Sequence, residues 1–153
     1  MERTTQQATG EAIPEVPVVC SPQVLSKAER AAHFDLCVDA LVRRPLERLE
    51  LPDGYLFQYE GDEQVFLLLA RWAATEHRCC PWASYSVEMS PFGGTAGRIR
   101  LRVTATDEGK QFLTVAYRYL EELRGEIPPE SVFDARELTR GGLLERLKEM
   151  CKC

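Results

Sequence analysis

The sequence predicts an α+β domain, in which an antiparallel sheet of two hairpins carries helices packed on one face. Two observations lead to this class. Apolar residues recur at steps of three and four in some segments, which is helical spacing, and they alternate with polar residues in others. Along the chain these segments follow the order helix, hairpin, helix, hairpin, helix. That order is typical of a sheet with helices on one side.

The chain divides into three predicted parts. Residues 1–15 are polar and predict a disordered lead. Residues 16–124 hold the strong patterns and predict the α+β domain. Residues 125–153 begin with a break, Gly125 to Pro129, and predict a helical extension that ends in a C-x-C tail, Cys151 and Cys153.

The composition excludes several classes of function. A chain of 153 residues is long enough for one domain with a substantial core. The net charge is −5 and the basic residues form no long run, so we expect no nucleic-acid partner. No apolar segment approaches the roughly 18 residues of a membrane span, so we expect no membrane partner.

Whether the cysteines are expected to form disulfides depends on the cellular compartment of the protein. The first 17 residues lack the apolar core of a secretory signal, so we expect a cytoplasmic protein. In a reducing cytosol, the six cysteines indicate metal binding, redox chemistry or packing more often than disulfides.

A capping box marks the start of the first helix. Ser26 is followed three residues later by Glu29, which predicts a helix from Lys27 to about Val42. Before it, the apolar run Val16–Cys20 predicts an edge strand, because it contains a proline, which sheets accept only at an edge.

His33 and Cys37 lie four residues apart in this helix and therefore share a face. As a pair they are candidate metal ligands. The simpler interpretation, and the one that this spacing alone favours, is a partly buried helix face with a satisfied histidine.

Two pairs of alternating segments predict the hairpins. The first pair, Leu46–Leu51 and Gly54–Glu60, is joined by the strong turn signal Pro52–Asp53–Gly54 and has its aromatic residues on one face. The second pair spans residues 83–89 and 99–103. A last amphipathic helix is predicted over Asp107–Leu123.

The second helix places two thiols at its end. Its apolar residues begin at Val65, and Pro81 disfavours α geometry at Cys80, so we expect the helix to end near Cys79. A helix C-terminus exposes unpaired carbonyls and a partial negative charge. It therefore favours a bound cation over a free thiolate.

The adjacent pair Cys79 and Cys80 has two interpretations. Neighbouring cysteines form only strained disulfides, but they can present both thiols to one soft ion. Glu76 lies one turn earlier, where it would either ligate a metal or accept a hydrogen bond from a thiol or from His77. His77 also shares a face with Cys80. Alternatively, the cysteines are small buried hydrophobes and Glu76 is a surface residue.

Four motifs together resemble a family of small bacterial proteins. They are Arg30–Ala31–Ala32–His33, Leu51–Pro52–Asp53–Gly54–Tyr55, Glu76–His77–Arg78–Cys79–Cys80–Pro81 and Gly109–Lys110–Gln111–Phe112–Leu113. The family carries an L-P-D-G-Y turn and an E-x-x-C-C-P segment, and the resemblance covers roughly residues 16–123. It implies a link to mercury-type metal resistance, and hence to metal or thiol stress, without supplying a reaction.

These observations predict a protein that binds a soft metal or metalloid through clustered cysteines. The expected ion is mercury, zinc or copper(I), because thiolates select such ions. The sequence contains no Gly-rich phosphate loop, so we expect no nucleotide cofactor. The main candidate ligands are Cys79 and Cys80. The others are Cys37, His33, His77, Glu76, Cys151 and Cys153.

Two alternatives remain open at this point. One is a thiol-dependent enzyme, in which Cys79 or Cys80 attacks a small thiol-reactive ligand and the C-terminal pair resolves the product. The other is an interaction protein with structural cysteines, in which a leftover apolar stripe binds a partner or a second copy as a homodimer.

Overall fold

A computed structural model describes residues 16–91 and 97–123 of the protein. The predicted lead, residues 1–15, lies outside the described residues. So does the predicted extension, residues 125–153, with Cys151 and Cys153.

Four strands form one sheet in which every neighbouring pair is antiparallel. They are β1 (Glu47–Leu51), β2 (Gly54–Glu60), β3 (Ser84–Ser90) and β4 (Arg98–Thr104), in the spatial order β1-β2-β4-β3. The predicted α+β class is confirmed. β1 pairs with β2 across the predicted turn, and β3 pairs with β4; the connection between β3 and β4 includes residues 92–96, which the structure does not describe.

Among the described residues, three α-helices lie before, between and after the strands. They are α1 (Lys27–Val38), α2 (Glu63–Cys79) and α3 (Asp107–Leu123). α1 begins at the predicted capping box and continues through a π-helical turn, Asp39–Arg43. α2 ends at Cys79, as Pro81 predicts. Within residues 16–91 and 97–123, no helix is long and apolar enough to cross a membrane.

The helices pack against one face of the sheet, and the core lies between them. On that face, the apolar side chains of the two central strands are almost fully buried: Tyr55, Phe57 and Tyr59 in β2, and Ile99, Leu101 and Val103 in β4. The opposite face carries mainly polar side chains, half-buried or exposed, such as Gln58, Arg102 and Glu88. Alternation is clearest along β4, whose buried residues face the helices and whose more exposed residues face the other side.

The predicted edge strand Val16–Cys20 is wrong, because this segment forms neither strand nor helix. Its backbone pairs with the end of α2 instead of a sheet edge. The Ser21 N–H donates to the Cys79 carbonyl at 2.9 Å, and the Val19 carbonyl accepts from the Trp82 indole at 3.1 Å. The backbone polar groups of an apolar run with a proline can bond either to a sheet edge or to a helix end. The sequence pattern alone therefore could not distinguish these two possibilities.

The burial of the two sheet faces predicts unequal costs for two Leu→Ala substitutions. Leu101 is fully buried on the helix-covered face, whereas Leu49 of β1 lies on the opposite face and is 38% exposed. We expect Leu101→Ala to lower the free energy of unfolding by about 2–5 kcal/mol. The matched control, Leu49→Ala, should cost less than about 1 kcal/mol. Equal costs in urea unfolding would contradict this assignment of the core.

Candidate functional site

The candidate site lies between α1 and α2, where each helix turns polar side chains toward the other. α1 contributes His33 and Cys37, which are four residues apart. α2 contributes Trp72, Glu76 and Cys79, which are spaced by four and three residues and so share a face. The periodicity that builds the core face of α2 therefore also places a carboxylate and a thiol beside α1.

Three donor atoms of different chemistry meet here. One ligand atom from each of His33, Glu76 and Cys79 lies within 4.8 Å of the other two. The closest contact joins His33 Nε2 to Glu76 Oε2 at 2.5 Å. His33 is 6% and Cys79 5% exposed, so the nitrogen and the sulfur are largely shielded from water. Such a set of nitrogen, oxygen and sulfur atoms can hold a metal ion.

A second thiol and an indole complete the surroundings. Cys37 Sγ lies 3.5 Å from His33 Nε2 and 3.9 Å from Glu76 Oε2. The Trp72 indole N–H donates to the same sulfur at 3.2 Å. Trp72 in turn packs edge-on against Tyr85 of β3, which fixes the indole against the sheet. Cys37 is therefore oriented toward His33 and Glu76.

The protonation states follow from burial and from the neighbouring charges. Burial by itself lowers the pKa of His33, but Cys37, Cys79 and Glu76 together raise it to about 12. A hydrogen bond from Cys80 lowers the pKa of Cys79 to about 7 against the opposing effect of burial, and His33 acts in the same direction. Burial and the Glu76 charge raise the pKa of Cys37. The site thus holds an imidazolium beside a carboxylate and a readily formed thiolate.

The other ring nitrogen of His33, Nδ1, does not help to hold the ring. Nδ1 is buried and has no hydrogen-bond partner among the residues that the structure describes. Histidines that ligate metals usually donate this second N–H to a carbonyl or carboxylate, which holds the ring. Here the ring is held from the Nε2 side, by Glu76 and Cys37.

The two adjacent thiols enter different surroundings. Cys79 Sγ turns back along α2 toward the carbonyls of Thr75 and Glu76, at 3.6 and 3.4 Å. Cys80 has left the helix, and its sulfur lies 3.5 Å from Cys20 Sγ. Of the two, Cys79 is the one that belongs to the three-donor group. None of the four described cysteines forms a disulfide.

The predicted site residues are brought together only in part. His33, Cys37, Glu76 and Cys79 meet as described. Glu76 contacts a thiol, as predicted, but its histidine partner is His33 rather than His77. His77 is exposed and contacts the edge of the Tyr85 ring, with 6.3 Å between centroids. The predicted ligands Cys151 and Cys153 lie outside the described residues.

Sequence reasoning missed two contributors. Trp72 was recognisable, because it shares a helical face with Glu76 and Cys79. Cys20 gave no such signal, since it lies 60 residues from Cys80 and outside any periodic segment.

Comparison with known proteins gives no family for this chain. No protein-family model matches it, and neither a curated protein nor a solved structure does so with significance. The resemblance drawn from the sequence motifs stays a prediction, and the case for function rests on the geometry of the site.

The contact between Glu76 and His33 predicts a measurable contribution to stability. Glu76→Gln keeps the shape of the side chain but removes the charge opposite the imidazolium. Because the pair is largely buried, we expect a loss of about 1–3 kcal/mol in the free energy of unfolding at pH 7. Glu88→Gln, on the exposed face of β3, is the control and should change it by less than about 0.5 kcal/mol. Chemical denaturation of metal-free protein would check both, and equal effects would argue against the pairing.

Proposed function

We propose that this protein binds a thiophilic metal ion between α1 and α2, through His33 Nε2, the Glu76 carboxylate and the Cys79 thiolate. The observation that carries the proposal is the mutual approach of these three donor atoms to within 4.8 Å. Cys37, whose sulfur lies 3.5 Å from the same histidine nitrogen, is the candidate fourth ligand. These four residues come from two helices that are separate in sequence.

The donor types favour a zinc-like ion or a softer relative such as mercury. Thiolate and imidazole are ligands of zinc and of softer ions, whereas an all-oxygen set would suit magnesium or calcium. Two nitrogen or oxygen ligands about 2.1 Å from a tetrahedral zinc are about 3.4 Å apart. The 2.5 Å contact between His33 and Glu76 would therefore open by roughly 1 Å on binding.

Electrostatics supports the same proposal. A partly buried carboxylate and a buried thiolate are stabilised by a neighbouring positive charge. Without metal, the His33 imidazolium supplies that charge, and its raised pKa reflects the attraction. A metal ion would replace the proton, because imidazole ligates only in its neutral form. The carbonyl-bearing end of α2 adds a partial negative charge beside the ion.

The biological setting is part of the proposal. A site with one or two thiolates suits the capture of a thiophilic ion, so we place the protein in metal or thiol stress, in the cytoplasm. The resemblance to a family linked with mercury-type resistance is consistent with this role.

A thiol-dependent enzyme is the second candidate, and one observation favours it. The pKa of Cys79 is lowered to about 7, so a substantial fraction is thiolate at neutral pH. Its 5% exposure opposes attack on a bulky substrate. Alkylation with iodoacetamide separates the two functions. One hyper-reactive thiol in metal-free protein, unprotected by metal, would favour the enzyme, whereas protection of Cys79 by metal favours binding.

The metal site predicts which side chains set the affinity. Zn²⁺ and Hg²⁺ would each be titrated into chelator-stripped full-length protein, with a competing chelator and native mass spectrometry as readouts. Loss of an outer-shell partner alone costs roughly 10–100-fold in affinity. We therefore expect Cys79→Ser and His33→Gln to weaken Zn²⁺ binding at least that much.

Two further variants make this test decisive. His77→Gln is the matched control for His33→Gln, because His77 is exposed, and it should leave the affinity unchanged. A Cys79→Ser/Cys80→Ser double variant should lose high-affinity binding. If this double variant binds as tightly as the unsubstituted chain, the proposed site is wrong.

The C-x-C tail predicts a separate effect on metal handling. If Cys151 and Cys153 deliver an ion rather than hold it, deletion of residues 151–153 should leave folding and the equilibrium affinity intact while slowing metal transfer from a donor chelator. Stopped-flow transfer and equilibrium titration on the same truncated protein measure the two quantities. A loss of affinity as large as that of Cys79→Ser would instead make the tail thiols ligands of the same ion.

A further inference from the structure

Cys20 and Cys80 form a second thiol pair, apart from the three-donor group. Their sulfurs are 3.5 Å apart although the residues are 60 positions apart in sequence. Cys80 is 3% exposed, whereas Cys20 is partly exposed. The proposed metal ligands do not account for this approach.

The backbone on both sides of the pair is held in place. Next to Cys20, the Ser21 N–H caps the end of α2 by donating to the Cys79 carbonyl at 2.9 Å. The Cys80 carbonyl accepts a hydrogen bond from the Tyr85 hydroxyl at 3.1 Å. The two sulfurs therefore meet because the segment 16–21 is tied to the end of α2.

We infer that Cys20 and Cys80 are a redox-active dithiol, which a hydroperoxide converts into an intramolecular disulfide. A disulfide requires the sulfurs to close from 3.5 Å to about 2.05 Å. Cys20 lies on a segment that is neither helix nor strand, so a shift of about 1.5 Å breaks no ladder of backbone hydrogen bonds. Cys79 and Cys80, as sequence neighbours, lack this freedom.

The reaction has two steps that balance. Cys20 is the attacking thiol, because its greater exposure lets the oxidant reach it. Its thiolate takes the terminal oxygen of the hydroperoxide, which forms a sulfenic acid and releases an alcohol, or water when the oxidant is hydrogen peroxide. The Cys80 thiol then attacks the Cys20 sulfur; a disulfide forms, and the sulfenic hydroxyl leaves with the Cys80 proton as water. Two thiols lose two electrons and two protons, and the O–O bond accepts them.

The disulfide would also change the stability of the domain. It closes a loop from residue 20 to residue 80, which contains all of α1 and α2. Such a cross-link restricts the unfolded chain and raises the denaturant midpoint. This inference does not rest on the proposed function, because neither Cys20 nor Cys80 is among the three metal-donor residues.

The test uses the full chain, reduced and stripped of metal, and treated with one equivalent of hydrogen peroxide at neutral pH. We expect mass spectrometry to show the loss of two hydrogen atoms, and fragmentation of the peptides to show Cys20 joined to Cys80. The urea midpoint should rise and return on reduction. A Cys151→Ser/Cys153→Ser background removes the tail thiols, and the same linkage should form in it.

Single substitutions assign the two roles. In Cys80→Ser, the sulfenic acid at Cys20 should persist and be trapped by dimedone, whereas Cys20→Ser should form neither product. Glu88→Gln, on the exposed face of β3 and outside both sites, is the control and should form the disulfide at an unchanged rate. Absence of a Cys20–Cys80 linkage in the folded unsubstituted chain, or preferential pairing of either residue with another cysteine, would overturn the inference. Loss of the linkage with intact metal binding would leave the proposed function standing.

Discussion

The end of α2 constrains most of the structure around the site. Pro81 prevents the helix from continuing, so Cys79 is its last residue and Cys80 already has a non-helical backbone. The carbonyls exposed there need donors, and the Cys79 carbonyl takes the N–H of Ser21. This bond and the one from the Trp82 indole to the Val19 carbonyl hold the segment 16–21 against the helix end. The chain then turns directly into β3, so helix, segment and sheet meet at one place.

The contact between α1 and α2 places a polar cluster where apolar packing would be simpler. A buried imidazole and carboxylate lose hydration, and their mutual attraction offsets that loss only while both are present. Trp72 strengthens the arrangement, since its indole packs on Tyr85 and donates to Cys37. Hydrophobic residues of similar size could stabilise this position about as well as the polar cluster does. The cluster's nitrogen, oxygen and sulfur atoms are the donors that the proposed metal site uses.

The adjacent thiols of Cys79 and Cys80 contact different groups although they are neighbours in sequence. Because the helix ends between them, Cys79 remains beside Glu76 while Cys80 turns toward Cys20. The hydrogen bond from Cys80 also lowers the pKa of Cys79. Metal capture and thiol oxidation would thus use neighbouring residues without sharing a sulfur atom, which lets each be removed by a different substitution.

Local signals in the sequence determined the class of fold, the turn before Gly54, the capped start of α1 and the end of α2. Each depends on residues within a few positions of one another, through caps, proline sterics and alternation, so each can be recognised without the fold. Only the tertiary structure decided that Glu76 meets His33, 43 residues away, and that Cys80 meets Cys20. The same distinction explains why Val16–Cys20 was predicted wrongly as a strand. An apolar run in a sequence indicates that the segment will be buried. Which element buries it depends on how the helices pack on the sheet.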